Sequence, residues 1–364
     1  MSFNAKQVTR RTFVGGAGLA IAAGLVACGG KSTTKGGTSG TSSEDRSGNV
    51  YWLNFKPEMD EAIQSLGKKY MEKYPKVKVK IVTAASGTYT QTLTSEMDKQ
   101  GAPTLFVIGN MEGVKTWSDY AMDLKDTAIA KELSTDDYNL TDDSGKLVSI
   151  PYNYEAFGIV ANTELVEKAG HKMDDIKDFN SLKKVVEDIH SRASELGFDA
   201  FVATDMDDSS SWRVTGHLTN IVCYYDSRDA GGWKQAPATI SDKYIPNYKN
   251  LYDLAINNST VAPNALATGG HDPVTEFTGK KAAFIFSGSF NYADIKEGGV
   301  TSTACIPYYC GVQGEEKAGL NCGTENRWAI NDNASEEDKQ ATMDFMVWLV
   351  TDPDAAAVMV AANG

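Results

Sequence analysis

Histidine is scarce: four occur in 364 residues, at 171, 190, 217 and 271, and they are scattered without ligand spacing. Each therefore reads as a surface or core side chain rather than a metal ligand. The five cysteines include no C-x-x-C pair, so the common zinc sites find no support. No G-x-x-x-x-G-K-[ST] is present to cradle phosphates, and the glycines at 15, 16 and 18 carry no nucleotide signal. No G-x-S-x-G elbow is present to present a nucleophile; Ser287-Gly288-Ser289 is the nearest fragment and lacks the flanks. Asp205, Asp207 and Asp208 open like a calcium loop, but Ser210 stands where that loop needs glycine and Gly216 where it needs glutamate. Paired carboxylates for glycoside cleavage carry no sequence signature, because their pairing is spatial. Positive charge is also short, with 35 Lys and Arg against 48 Asp and Glu, a net charge of −13. An acidic chain is a poor binder of phosphate backbones, so a nucleic-acid partner is not expected. No cofactor and no metal are expected. No fixed-period repeat is visible.

What is present is a folded composition, 41% hydrophobic and 23% charged, long enough for about two domains. The N-terminus reads as an address. Arg10-Arg11 precedes an uncharged apolar stretch over residues 13–27, shorter than the ~20 residues of a membrane span. Thr9-Arg10-Arg11-Thr12-Phe13-Val14 resembles a twin-arginine export signal, and Leu25-Val26-Ala27-Cys28 resembles a lipobox, with cleavage before a diacylated Cys28. Residues 29–48, rich in Gly, Ser and Thr, suit a flexible tether. The expectation is a signal peptide over 1–27, a lipid anchor at Cys28 with a tether over 28–48, and a body on the outer face of the cell membrane. Losing Lys6, Arg10 and Arg11, three cations and no anion, takes the mature net charge from −13 to −16. Cys223, Cys305, Cys310 and Cys322 allow three pairings, and sequence does not choose among them; a Cys305–Cys310 bond around Pro307 is one candidate.

From residue 49 strands and helices alternate. Val50-Tyr51-Trp52-Leu53 is a buried strand, Pro57 opens a helix with Met59, Ile63, Leu66, Tyr70 and Tyr74 on one face, and Pro75 ends it. Val77, Val79 and Ile81 alternate with lysines as a second strand, Tyr89, Leu93 and Met97 mark a helix, and residues 104–108 form a third strand. This order implies a parallel sheet covered by helices, an α/β fold. Further on, Asn180 reads as the cap of a helix that stops at Gly197. A helix is expected over 240–254 and strands over 282–286 and 303–307, and Ser335 caps a long last helix.

Loops at the predicted strand ends carry aromatic, amide and carboxylate groups: Asn54-Phe55-Lys56, Gly109-Asn110, Tyr152-Asn153-Tyr154-Glu155, residues 208–213, residues 287–290 and Gly323-Thr324-Glu325. In open α/β sheets ligands bind beyond these strand ends. A sugar offers C–H faces to flat rings and hydroxyls to planar acceptors, and these loops supply both partners.

The order of several segments over residues 49–364 resembles the extracellular solute-binding proteins of ABC importers, in particular the carbohydrate-binding group that includes maltose-binding protein. They are Gly48 to Leu53 with the helix end at Tyr70 to Pro75, Gly101-Ala102-Pro103-Thr104, and Ile150-Pro151 followed by residues 158–165. Later come Gly279-Lys280-Lys281-Ala282-Ala283-Phe284 with Ser287 to Phe290, then Asn321 to Trp328 and Thr351-Asp352-Pro353. Thr104 replaces the family's usual acid, and Phe290 its usual tryptophan. The resemblance implies a two-lobed fold joined by a hinge, with lobe one over 49–151 plus 302–335 and lobe two over 152–301 plus 336–364. It also implies that the family's further helices continue beyond Gly364. The lobes close on a sugar or oligosaccharide and present the closed form, as a monomer, to a membrane permease. By position it assigns ligand contacts to Asn54, Lys56, Asn110, Glu155, Trp212, Arg213, Phe290 and Glu325. Two alternatives stay open: a secreted carbohydrate-active enzyme, and the same fold holding a peptide, a polyamine or, through Tyr224-Tyr225 and Tyr308-Tyr309, ferric ion.

Overall fold

The structure, a computed structural model, describes residues 46–232 and 237–363. The expected export signal, the expected lipobox cysteine Cys28 and most of the expected tether lie outside the described residues. Among the described residues eleven strands follow in chain order: β1 (Gly48–Asn54), β2 (Val77–Thr83), β3 (Leu105–Val107), β4 (Leu140–Thr141), β5 (Leu147–Pro151), β6 (Glu155–Asn162), β7 (Asp199–Phe201), β8 (Ala282–Gly288), β9 (Thr303–Ile306), β10 (Asn321–Gly323) and β11 (Arg327–Ile330). They form two sheets, one in the order β2-β1-β3-β11-β5-β4 and one in the order β10-β6-β8-β7, with β9 beside β6.

The expected opening is present. A strand covered on both faces needs an uninterrupted apolar run, and Val50, Tyr51, Trp52 and Leu53 are all buried in β1. β1 pairs in parallel with β2 and β3. Pro57 begins a short turn that leads into the helix Asp60–Lys73, whose Ile63, Leu66 and Tyr70 face inward. The second sheet is built around β6, antiparallel to β8, β9 and β10, with β7 parallel to β8.

The chain passes between the sheets in two adjacent strands. It leaves the first sheet after β5 and enters the second at β6; it returns between β10 and β11. The two passages run antiparallel beside each other: Arg327 pairs with Pro151, the Tyr152 N–H donates to the Asn326 carbonyl at 3.0 Å, and Gly323 pairs with Glu155. A two-stranded ribbon of this kind joins the sheets where the resemblance expects the hinge.

This placement corrects the expected lobe boundaries. Residues 302–323 belong with the second sheet, because β9 pairs with β6 from Asn162 to Ile159 and β10 with Phe157 to Glu155. Residues 336–363 belong with the first. The helix Glu336–Thr351 lays Phe345 against Tyr70 at 4.9 Å and Trp52 at 6.3 Å, and Thr342 Oγ1 shares a 2.7 Å hydrogen bond with Thr104 Oγ1. Burying rings of this size stabilises by roughly 1.5–3 kcal/mol each, which decides where the last helix docks. Thr104, in place of the family's acid, also accepts the Tyr51 N–H at 3.0 Å.

Three smaller expectations are corrected. Asp178, not Asn180, caps the helix Phe179–Ser191, in a reciprocal capping box with Ser181. The helix expected over 240–254 is Ile245–Asn257, starting where Pro246 fits the first turn. Cys223, Cys305, Cys310 and Cys322 are all free thiols, so no Cys305–Cys310 bond is present. Among the described residues no single helix is long and apolar enough to cross a membrane.

Candidate functional site

Between the sheets lies a cleft of about 1580 Å³, lined from both sides. Its size exceeds the ~300–1,000 Å³ of ordinary small-molecule sites and suits a ligand of more than one ring. The ribbon that joins the sheets closes one end, through Gly323, Thr324, Glu325 and Asn326. At the rim the two sides touch: Gly87, on the loop after β2, lies so near Asp208 that a Cβ on it would stand 2.7 Å from the Asp208 carbonyl oxygen.

The first wall grows out of the end of β1. Asn54 is fully buried, and its side chain ties the next turn: Nδ2 donates to the Lys56 carbonyl at 2.6 Å, and Oδ1 accepts the Lys56 N–H at 3.1 Å. That turn aims Phe55, Lys56 and Glu58 into the cleft. Phe55 leans edge-on against Tyr89, 5.3 Å between ring centres, and Tyr89 is fixed by the Val107 N–H at 2.7 Å. Lys56 is 2% exposed, and its ammonium joins Glu155 across the cleft and Glu58 at 3.1 Å. Burial pushes the Glu58 carboxyl above its ordinary pKa, with Lys56 pulling the other way. Glu325 is solvent-accessible yet surrounded by protein, and burial, reinforced by the charge of Glu155, raises its pKa as well.

The second wall is aromatic. Residues 213–218 form a π-turn, with Thr219 Oγ1 donating to the Val214 carbonyl five residues back at 3.1 Å. Such wide turns are common at functional sites. This one brings Trp212, Arg213, Gly216, His217 and Asn220 to the same cleft. Trp212 packs edge-on against Phe290 at 5.6 Å and His217 at 5.0 Å, while His217 stacks on Phe157 at 4.1 Å. Arg213 is buried, donates through Nε to the Phe286 carbonyl at 3.1 Å, and lies over the Trp212 ring at 4.1 Å. Burial lowers the Arg213 pKa to about 10. Burial and the neighbouring Arg213 lower that of His217 to about 4, so this imidazole is neutral near pH 7.

Of the eight expected contacts, Lys56, Glu155, Trp212, Arg213, Phe290 and Glu325 line the cleft together. Asn54 and Asn110 do not: Asn54 holds the Lys56 turn, and Asn110 caps the helix Met111–Trp117 by accepting the Gly113 N–H at 2.9 Å. Sequence reasoning missed Glu58, Phe157 and His217 as lining residues. For His217 a signal was available: it stands five residues after Trp212, a spacing that faces one way only in a π-turn. Of the tyrosine pairs, Tyr225, Tyr308 and Tyr309 are buried and Tyr224 is exposed. Among the described residues no group of three or more His, Cys, Asp or Glu is arranged to hold a metal.

The sequence profile described as bacterial extracellular solute-binding protein matches residues 65–364. The chain belongs to that family. No curated protein matches this solute-binding protein in sequence. Solved structures share its fold at low identity. The RafE solute-binding protein in complex with raffinose is 18% identical with a TM-score of 0.66, over 87% of this chain and 81% of that one. Maltose-bound MalE3 of T. maritima is 14% identical with a TM-score of 0.65, over 87% and 80%. The GacH receptor of Streptomyces glaucescens, solved unliganded and with acarbose, is 17% identical with a TM-score of 0.62, over 87% and 79%. The two-lobed α/β architecture of this solute-binding protein is therefore that of a known class.

Proposed function

We propose that this solute-binding protein captures a sugar or oligosaccharide in the cleft and delivers it to the permease of an ABC importer. It works as a monomer anchored through a lipid on Cys28 at the outer face of the membrane. The observation that carries the reading is the pairing of wall chemistries. Trp212, Phe290 and Phe55 give flat apolar faces for sugar C–H groups, and Glu58, Glu155, Glu325 and Asn326 give planar oxygen acceptors for hydroxyls. Raffinose, maltose and acarbose in the structural neighbours support the same reading. A ligand that touches both walls favours the closed arrangement only by binding it better than the open one. A screen of mono- and oligosaccharides by thermal shift tests this, because a ligand of the native state raises its melting temperature. Absence of any saccharide response would remove the reading. Cys28→Ser is expected to move the protein from the membrane to the medium.

One observation favours a second reading, a secreted glycoside-cleaving enzyme: Glu325, with its raised pKa, faces Glu155 in the same cleft. Against it stands the Lys56 ion pair, which occupies Glu155. Incubation with the saccharides that bind, followed by product analysis, separates the two; the binding account expects no cleavage.

A further inference from the structure

The cleft has more carboxylates than cations. Seven carboxylates line the cleft as a whole, against two cations, Lys56 and Arg213. Neither cation is free for a ligand, since Lys56 is engaged by Glu155 and Glu58, and Arg213 by the Phe286 carbonyl and the Trp212 ring. Arg327 adds positive charge beside Glu325, but it donates to the carbonyls of Tyr138, Gly109 and Thr324. The Glu325 carboxylate takes no hydrogen bond from the described residues, and its electrostatic neighbours are Glu155 and Arg327. A second observation stands next to it. Asn326 is 1% exposed, lines the cleft, and its Oδ1 has no hydrogen-bond partner among the described residues. A buried acceptor without a partner is costly, so a donor from the ligand is favoured there. Hydroxyls meet the need for donors but leave the surplus negative charge; an ammonium group meets both.

Resting on the saccharide reading above, we propose that the ligand carries a free amine, an amino sugar whose ammonium sits between Glu325 and the Asn326 side-chain oxygen, next to the Glu58 and Glu155 carboxylates that Lys56 holds. Its three N–H groups fit an arrangement of carboxylate and amide oxygens, and the sugar ring is left to Trp212 and Phe290. Carboxylates with raised pKa gain when a cation arrives, and such charge-assisted bonds are about twice as strong as neutral ones. Affinity for this ligand is salt-dependent, because the carboxylates outside the Lys56 pair are not fully screened by the protein.

The test is calorimetry on the full chain with matched ligands: glucosamine, galactosamine and β-1,4-linked glucosamine di- and trisaccharides, each beside its N-acetyl and hydroxyl counterpart, with spermidine as a cation lacking a ring. The expected result is an amine form that binds at least tenfold tighter than both counterparts and weakens as NaCl is raised. Glu325→Gln is expected to shrink that ratio to under threefold, with a melting curve showing the variant folded. Equal or tighter binding of the hydroxyl or N-acetyl form overturns the amine inference and leaves the saccharide reading standing. No binding across the matched series also overturns it. Spermidine binding with no saccharide binding overturns both.

Discussion

Adding one methyl group to Gly87 isolates the contact across the rim of the cleft. Gly87 has φ +76, and its added Cβ would stand 2.7 Å from the Asp208 carbonyl oxygen. Two effects follow, and they act on different equilibria. The left-handed backbone costs an alanine about 1–2 kcal/mol whether the cleft is open or shut, so it lowers folding stability alone. The overlap with Asp208 exists only when the two sides meet. Real contacts are not this short, and backbone carbonyls yield little, so the overlap costs the closed form about 1–3 kcal/mol. That corresponds to a Kd weakened roughly five- to 150-fold. Gly197 is the control, since it has φ +81 and no atom within 4 Å of its added Cβ. Gly87→Ala and Gly197→Ala should therefore lose similar stability in chemical denaturation, while calorimetry against a saccharide that binds shows the loss of affinity in Gly87→Ala only. Wild-type affinity in a folded Gly87→Ala protein would refute the assignment of this contact to the closed, ligand-holding form.

Other outcomes follow from the same geometry. Trp212→Ala should weaken saccharide binding at least tenfold, ~1.4 kcal/mol, by calorimetry, while Trp212→Phe keeps part of it. His217 has a folded pKa of about 4 against 6.5 when free, so the unfolded chain binds the extra proton between these values; stability contributed by the neutral ring is complete above pH 6.5 and is lost as pH falls toward 4. Urea denaturation from pH 7 to 4 should show that slope, and His217→Phe should flatten it. Glu315→Ala removes the carboxylate that accepts the backbone N–H groups of Phe179 at 2.7 Å, Cys310 at 2.6 Å and Gly311 at 2.8 Å. It should cost about 1–3 kcal/mol of stability, read in urea, with unaltered saccharide affinity in the folded fraction.

How far the sequence reaches is clearest where side chains speak for themselves. The run Val50 to Leu53 and the prolines at 57 and 75 mark the first strand and helix, and both stand where expected. Strand membership was not legible for residues 303–306. Backbone hydrogen bonds choose the sheet, and the short segment Thr303-Ala304-Cys305-Ile306 carries no side-chain mark that separates pairing with β6 from pairing in the first sheet. The lobe that the last helix joins is not legible for a related reason. Its apolar residues announce burial, but Tyr70 and Trp52 become its partners only through the fold. In the cleft, residue types at loop ends were enough to bring in Trp212, Phe290, Glu155 and Lys56. They were not enough to separate ligand-facing amides from structural ones, because Asn54 and Asn110 turn their side chains to their own backbone. The resemblance marks Lys56 as a ligand contact, but its ion pair with Glu155 is not legible in sequence, because it joins residues 99 positions apart.

The central claim is that the cleft holds a saccharide against the Trp212 wall and the acceptors at the hinge. Isothermal calorimetry of wild type and Trp212→Ala, with the saccharide that gives the largest thermal shift, addresses it most directly. The account predicts one bound saccharide per chain and at least a tenfold loss in the variant. Saccharide binding that is indifferent to Trp212 would contradict it.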